Sequence, residues 1–232
     1  MSWEETYTIW NKRPDLAPEV REDLDKIAND KEALEDAFYT PMEFGTAGMR
    51  GLIGAGINRM NIYTVRQATE GLARFMDTLD EETKLRGVAI SYDSRHMSQE
   101  FAFEAARVLG AHGIPSFVFE SLRPTPELSF TVRHLHAYAG IMITASHNPK
   151  QYNGYKIYGE DGAQMPPKES DMITNYIREV DDLFAVEVAD KDALINDNTL
   201  QVIGSEVDEV YLENAKEVTI DRELVAEEGK TM

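Results

Sequence analysis

From residue 41 onward, short wholly apolar runs alternate with longer stretches in which apolar residues recur every three or four positions. Gly87–Tyr92, Pro115–Phe119 and Tyr138–Thr144 are runs of the first kind, and Tyr155–Tyr158 is a shorter one; each predicts a buried strand. Between them, Ile62, Val65, Leu72, Phe75, Met76 and Leu79 form one stripe of a helix that Asn61 can cap. Ser98 is expected to cap a helix running from Gln99 to about Gly110, Gly113 to end it, and a further helix is expected over Thr125–Leu135. Strands separated by single helices imply βαβ units. The expected fold class is therefore α/β, a mostly parallel sheet sandwiched by helices.

The flanks read differently. Residues 1–40 predict an N-terminal helical arm: Pro14 and Pro18 punctuate it, Pro18 suits a first helical position, and Leu24, Ile27, Leu34 and Phe38 offer an apolar face. Beyond Pro166-Pro167 one amphipathic helix is expected at 168–180 with Met172, Ile173, Tyr176, Ile177 and Val180 inward, followed by an acidic stretch of poor pattern. A last helix is expected at Glu206–Val218. The expected division is an arm (1–40), a main domain (41–204) and the start of a truncated second domain (205–232).

Charge sharpens this division. The 232 residues carry 42 acidic and 23 basic side chains, for a formal charge of −19. By segment that is −6 over residues 1–40, −1 over 41–165 and −12 over 166–232. A chain of pI 4.6 without a basic stripe is not expected to bind nucleic acid, whose recognition rests on clustered Lys and Arg, nor an anionic membrane. With no cysteine, disulfides, thiolate metal sites and a cysteine nucleophile are excluded together. The acidic N-terminus lacks an apolar signal core, and no apolar run approaches the roughly 18 residues of a membrane span, so a soluble cytoplasmic protein is expected.

Three loops at strand ends could carry chemistry, since open α/β sheets bind ligands there. Thr144-Ala145-Ser146-His147-Asn148-Pro149 predicts a tight turn that presents a serine hydroxyl. A hydrolase elbow is not indicated, because the G-x-S-x-G pattern is missing and His147, as a direct neighbour, is not expected to reach back to the preceding hydroxyl. Phe44-Gly45-Thr46-Ala47-Gly48-Met49-Arg50-Gly51 combines glycines, which allow close approach to an anion, with an arginine suited to phosphate oxygens. It is not a Walker A loop, for Arg50-Gly51 stands where Lys-Ser/Thr is needed. Tyr92-Asp93-Ser94-Arg95 ends in another arginine, which either serves the site or pairs with Asp93 to brace a turn. His96, His112, His134 and His136 show no metal-ligand spacing, and Asn153-Gly154 is first of all a turn signal.

Taken together, these segments resemble the α-D-phosphohexomutases, the family that includes phosphoglucomutase and phosphomannomutase. Thr144–Pro149 is similar to the family's phosphoserine loop, Phe44–Gly51 to its N-terminal loop, and Asn153–Tyr158 to the segment after its serine. The resemblance covers roughly residues 40–205. It implies a reversible interconversion of glucose 1-phosphate and glucose 6-phosphate through a phosphoserine at Ser146 and a bisphosphorylated sugar. By the same resemblance Arg50 stabilises charge on the transferring group, Lys156 is the general acid/base with its pKa lowered by neighbours, and His147 positions the serine or a sugar hydroxyl. Mg²⁺, held by the phosphoserine and three aspartates, and glucose 1,6-bisphosphate as activator are implied too. The family's D-x-D-x-D-R metal loop, sugar-recognition loop and C-terminal phosphate-binding domain have no match in these 232 residues. The chain is therefore expected to be an inactive fragment whose partners are a phosphorylated hexose and the missing C-terminal domains of its own polypeptide. Phosphomannomutase and a stand-alone phosphosugar-binding module are the alternatives.

Overall fold

Three short helices, α1 (Trp3–Lys12), α2 (Pro18–Ile27) and α3 (Lys31–Phe38), form the arm in a computed structural model that describes residues 1–45, 48–218, 220, 224 and 227. Thr46 and Ala47 of the glycine loop, and most of 219–232 at the expected start of a second domain, lie outside the described residues. Ser2 and Glu5 close a reciprocal capping box on α1, Pro18 takes the first turn of α2, and Asp30 caps α3. Leu24, Leu34 and Phe38 are buried as the pattern requires, with Ile27 packed at their edge. The arm does not stand apart from the domain. Trp10 meets Phe38, Tyr63 and Phe184 edge-on, with ring centroids 5.6, 5.5 and 5.1 Å away, and Tyr63 Oη accepts a hydrogen bond from Ala17 N at 2.9 Å.

The main domain runs β1 (Met49–Leu52), α4 (Ile62–Met76), α5 (Glu81–Lys84), β2 (Val88–Tyr92), α6 (Ser98–Ala111), β3 (Ser116–Phe119), α7 (Thr125–His134), β4 (Ala139–Ile143), β5 (Tyr152–Gly159), α8 (Pro167–Arg178), α9 (Lys191–Asn196), β6 (Leu200–Ile203) and α10 (Ser205–Glu217). The six strands form one sheet in the order β1-β5-β4-β2-β3-β6. Strands β4, β2, β3 and β6 are parallel, whereas β5 runs antiparallel to both β4 and β1. Alternation along the central strands sorts side chains between two helical layers. Val88, Ile90, Ala139, Ile141 and Ile143 join the core shared with α4 and α6; Ala89 and Met142 face Leu128 and Val132 of α7. Among the described residues no helix is long and apolar enough to cross a membrane.

Several expectations are corrected. Strands β1 and β6 have four residues each and no strong apolar run, so tertiary pairing makes them strands. β5 is twice as long as expected, because Asn153-Gly154 lies inside it and not in a turn. Ser98 is the first residue of α6, and Met97 holds the cap position with φ 62. Met172 is 38% exposed and does not point inward with Ile173 and Ile177. The weakly patterned acidic stretch contains α9 and β6. After it, α10 buries Val207 against Phe119 and Ile203, while Arg123 grips both carboxylate oxygens of Asp208 at 2.7 Å. Glu127 lies buried beside that pair, and burial first, then its bond with Asp208, pushes its carboxyl up to about 7.

His112 at the end of α6 fastens α6 to α4: its Nδ1 lies 2.7 Å from Asp77 Oδ2 and its Nε2 2.9 Å from Glu70 Oε2. The bond to Glu70 outweighs burial and, with Asp77, raises the imidazole pKa. Glu70 is lowered chiefly by His112, and Asp77 is lowered because Lys84 and His112 overcome its burial. The imidazolium's contribution is complete below its ordinary value of 6.5 and is lost as pH rises through the raised folded value. The carboxylates' share is complete above 4.5 and 3.8 and is lost as pH falls through their lowered values. Urea unfolding should therefore show His112→Gln losing about 1–2 kcal/mol near pH 6 and less near pH 9, both proteins sharing the separate loss due to Glu127 as pH rises from 4.5 through about 7. A deficit that stays constant with pH would refute the clamp.

Candidate active site

The serine loop is a hairpin connection. Residues 144–151 link antiparallel β4 and β5 at the end of the sheet where β2 also finishes, so the loop and the Asp93–Arg95 turn meet edge to edge. Thr144 N donates to Gly154 O at 3.0 Å, and Asp93 N to Ile143 O at 3.1 Å. Ser146 adopts a left-handed conformation, φ 56, at a cost of roughly 1–2 kcal/mol for a residue with a Cβ. At this turn the hydroxyl is exposed, and Oγ comes 3.1 Å from His147 Nδ1. His147, not expected to reach back to the preceding hydroxyl because a direct neighbour rarely does, thus lies within hydrogen-bond distance of it.

Hydrogen bonds to backbone hold the turn from behind. Thr144 Oγ1 accepts from Ser146 N at 2.9 Å and donates to Asp93 Oδ2 at 2.6 Å. Asp93 Oδ1 accepts from Arg95 N at 3.0 Å and from Ser98 Oγ at 2.9 Å. Arg95 Nη1 donates to Pro149 O and Tyr152 O at 3.0 and 2.9 Å, and Nη2 to Ser146 O and Asn148 O, both at 2.7 Å. Asp93 and Arg95 do pair, Nε to Oδ2 at 3.3 Å, but the guanidinium also braces the neighbouring loop.

Strands β5 and β1 bring the remaining cations. Arg50 stands opposite Gly154, and its Nη1 donates to Asn148 Oδ1 at 2.8 Å, tying the glycine loop to the serine loop. Lys156 stands opposite Met142 and, two residues from Gly154, projects to the same side of the sheet as Arg50. The structure thus joins Ser146 to His147 by a direct contact and ties Arg50 to the same loop through Asn148. Lys156 is placed on an adjacent strand and makes no bond to Ser146. Two of the glycines serve close approach of backbone. A Cβ on Gly48, φ 94, would fall 2.0 Å from Tyr155 O, and one on Gly154 would fall 2.7 Å from Thr144 O and 2.9 Å from Met49 O. Asn153 is buried and holds His96 O and Ser98 Oγ at 3.0 Å each, which carries the base of the site across to the start of α6.

An open cleft of about 610 Å³ lies over Ser146, lined by Asp93, Ser94, Arg95, His96, Asn148, Lys150 and Gln151. Asp93 is its one lining carboxylate, and both of its oxygens already accept bonds. With Lys150 on its rim and Arg50 bonded to Asn148, the cleft favours an anion. Among the described residues no three His, Asp or Glu side chains gather as a metal site.

The domain model described as phosphoglucomutase/phosphomannomutase, alpha/beta/alpha domain I, matches residues 41–183, and these include every residue of the serine loop. The chain belongs to the phosphoglucomutase/phosphomannomutase family. A phosphoglucomutase of Staphylococcus saprophyticus is 40% identical over 179 residues, 77% of this chain and 32% of the relative. One of Staphylococcus aureus is 46% identical over 153 residues, 66% of this chain and 27% of the relative. This family member thus spans about a third of the length of the curated relatives it matches. Among solved structures, a Thermus thermophilus protein described as a phosphomannomutase aligns with a TM-score of 0.58 at 29% identity, over 76% of this chain and 36% of that one. Parafusin of Paramecium, in its open form, shares the fold at a TM-score of 0.53 and 18% identity, over 76% of this chain and 36% of its own.

Sequence reasoning singled out Ser146, His147, Arg50 and Lys156 but left Thr144, Asn148 and Asn153 without a role and Arg95 undecided. For Asp93 and Arg95 the signal was their place directly after a strand; for Asn153 the turn-like Asn-Gly pair hid it. Because backbone crowds Gly154 from both sides, Gly154→Ala should destabilise by about 1–3 kcal/mol. Gly45→Ala, whose Cβ would meet nothing within 4 Å, should stay within about 0.5 kcal/mol in the same denaturant titration. Equal losses would show that the close approach of β5 to the serine loop is not what Gly154 serves.

Proposed function

We propose that Ser146 carries a phosphoryl group in a reversible interconversion of glucose 1-phosphate and glucose 6-phosphate. The observation that carries this reading is the exposed Ser146 hydroxyl, at a left-handed turn and 3.1 Å from His147 Nδ1, over a cleft whose lining carboxylate is already bonded. In the forward half-reaction the Ser146 Oγ–P bond breaks as a sugar hydroxyl oxygen bonds to phosphorus. The hydroxyl proton passes to Lys156 Nζ, and His147 holds the freed serine oxygen. The return half-reaction moves the other phosphate of the bisphosphorylated sugar onto Oγ, and Lys156 returns the proton. Arg50 lies close enough to the loop to offset charge on the phosphoryl oxygens as they pass through the loose transition state.

The relatives named phosphoglucomutase support the glucose reading. The Thermus likeness keeps mannose phosphates as a second reading, decided by assaying both sugars. Glucose 1,6-bisphosphate is the expected donor for the first phosphorylation of Ser146. The described residues do not by themselves make a Mg²⁺ site, so the reading takes from this chain no more than the Ser146 phosphate as a ligand for the ion, and no step rests on it. The chain spans a third of its relatives' length, and the 232 residues alone are expected to give no mutase turnover. A cytoplasmic location belongs to the same proposal, in keeping with a chain free of cysteine.

Intact mass and peptide mapping of the active enzyme that contains this chain, purified with phosphatase inhibitors, should find one phosphate on Ser146, absent from Ser146→Ala. Phosphate only at other residues, or none after incubation with glucose 1,6-bisphosphate, would refute the phosphoserine. A coupled assay with glucose 1-phosphate, Mg²⁺ and catalytic glucose 1,6-bisphosphate should give no turnover by the 232 residues; substantial turnover would overturn that part.

A further inference from the structure

Among the described residues, Arg95 is the one side chain that reaches three carbonyls of the serine loop and a fourth, Tyr152 O, where β5 begins. A guanidinium has five N–H groups, and each faces protein here: four donate to the carbonyls of residues 146, 148, 149 and 152, while Nε faces Asp93. The side chain is 13% exposed. Arg95 therefore cannot bind a sugar phosphate without releasing the loop, although it lines the cleft. The loop has little of its own to hold it. Between β4 and β5 its internal backbone bonds are Asn148 N to Ala145 O and Tyr152 N to Pro149 O, 3.1 and 3.0 Å.

The two peptide groups flanking Ser146 are anchored to the same ion pair. Its N–H reaches Asp93 through Thr144 Oγ1, and its C=O is held directly by Arg95. Fixing both ends of one residue fixes its φ and ψ, and with them the direction in which Cβ leaves the backbone, while the contact with His147 Nδ1 at 3.1 Å selects the rotamer of Oγ. We propose that Arg95, paired with Asp93, is a positioning residue that aims Ser146 Oγ for phosphoryl transfer, acting on the transfer step and not on sugar affinity. This rests on the reading of Ser146 as the phosphoryl carrier. Phosphoryl transfer depends chiefly on placement, so a misplacement near 1 Å is expected to slow it by about 100-fold.

The test uses the active enzyme that contains this chain, with rates corrected for the folded fraction from urea titration. Arg95→Lys keeps the charge beside Asp93 but has three donors on one nitrogen and cannot span four carbonyls. It should lower kcat by about 10- to 100-fold with KM within about 2-fold, and added methylguanidinium should restore about 10-fold of the kcat lost in Arg95→Ala. Thr144→Val, close in shape, breaks the other anchor and should show the same kcat loss at unchanged KM; it also serves if neither Arg95 variant folds. Wild-type kcat in the folded variants, or a raised KM at unchanged kcat, would overturn the proposal. So would a loss that disappears on correction for folding. Ser146→Ala separates the two readings. If it is inactive while Arg95→Lys and Thr144→Val match the wild type, the positioning role alone fails; if it stays active, the phosphoserine reading fails and this inference with it.

Discussion

The ion pair of Asp93 and Arg95, at the end of β2, holds an eight-residue loop that contributes almost no bonds to itself. Through Thr144 the carboxylate reaches the Ser146 amide; through four carbonyls the guanidinium reaches the rest of the loop. Because neither charge faces solvent unpaired, the site gains rigidity without adding a free carboxylate near an anionic ligand. The same use of donors decides which cations remain for chemistry. Arg95 is fully occupied by protein, whereas Lys150 lines the cleft and Arg50 and Lys156 stand on the flanking strands.

That ion pair works only because the sheet sets strand ends side by side. β2 and β4 are parallel neighbours, so the turn after one and the loop after the other emerge together. Reversing direction at β5 returns the chain past the loop and places Gly154 and Lys156 beside it, and β1 adds Arg50 on the outer edge. Gly48 and Gly154 let these backbones approach more closely than any Cβ would allow. Charge follows the same plan. Residues 41–165, which hold all of these groups, sum to −1, and the −12 of residues 166–232 lies beyond them in the chain.

Much of this is legible in the amino-acid pattern. Apolar runs at Gly87–Tyr92 and Tyr138–Thr144 read as buried strands, and the stripe from Ile62 to Leu79 reads as a helix. Ser146, His147, Arg50 and Lys156 stand out because their motifs are local. Arg95 does not resolve, since its partners are backbone carbonyls more than fifty residues away, and carbonyls have no sequence. Asn153 misleads for a related reason: Asn-Gly favours a turn in isolation, but burial against His96 O and Ser98 Oγ holds it in a strand. β1 and β6 escape notice because four residues paired at a sheet edge need no apolar pattern of their own.

The sequence by itself determined the α/β class, the mostly parallel centre of the sheet, the helical arm, the family and the serine that the site is built around. Each rests on periodicity or on residues adjacent in the chain, where local physics suffices. Tertiary structure alone decided that Ser146 is left-handed, that His147 can touch the hydroxyl before it, that Arg95 belongs to the scaffold, and that the arm shares an aromatic cluster with the domain. These depend on where distant backbone groups and rings meet, and such meetings are settled only when the sheet assembles and its buried backbone groups take partners.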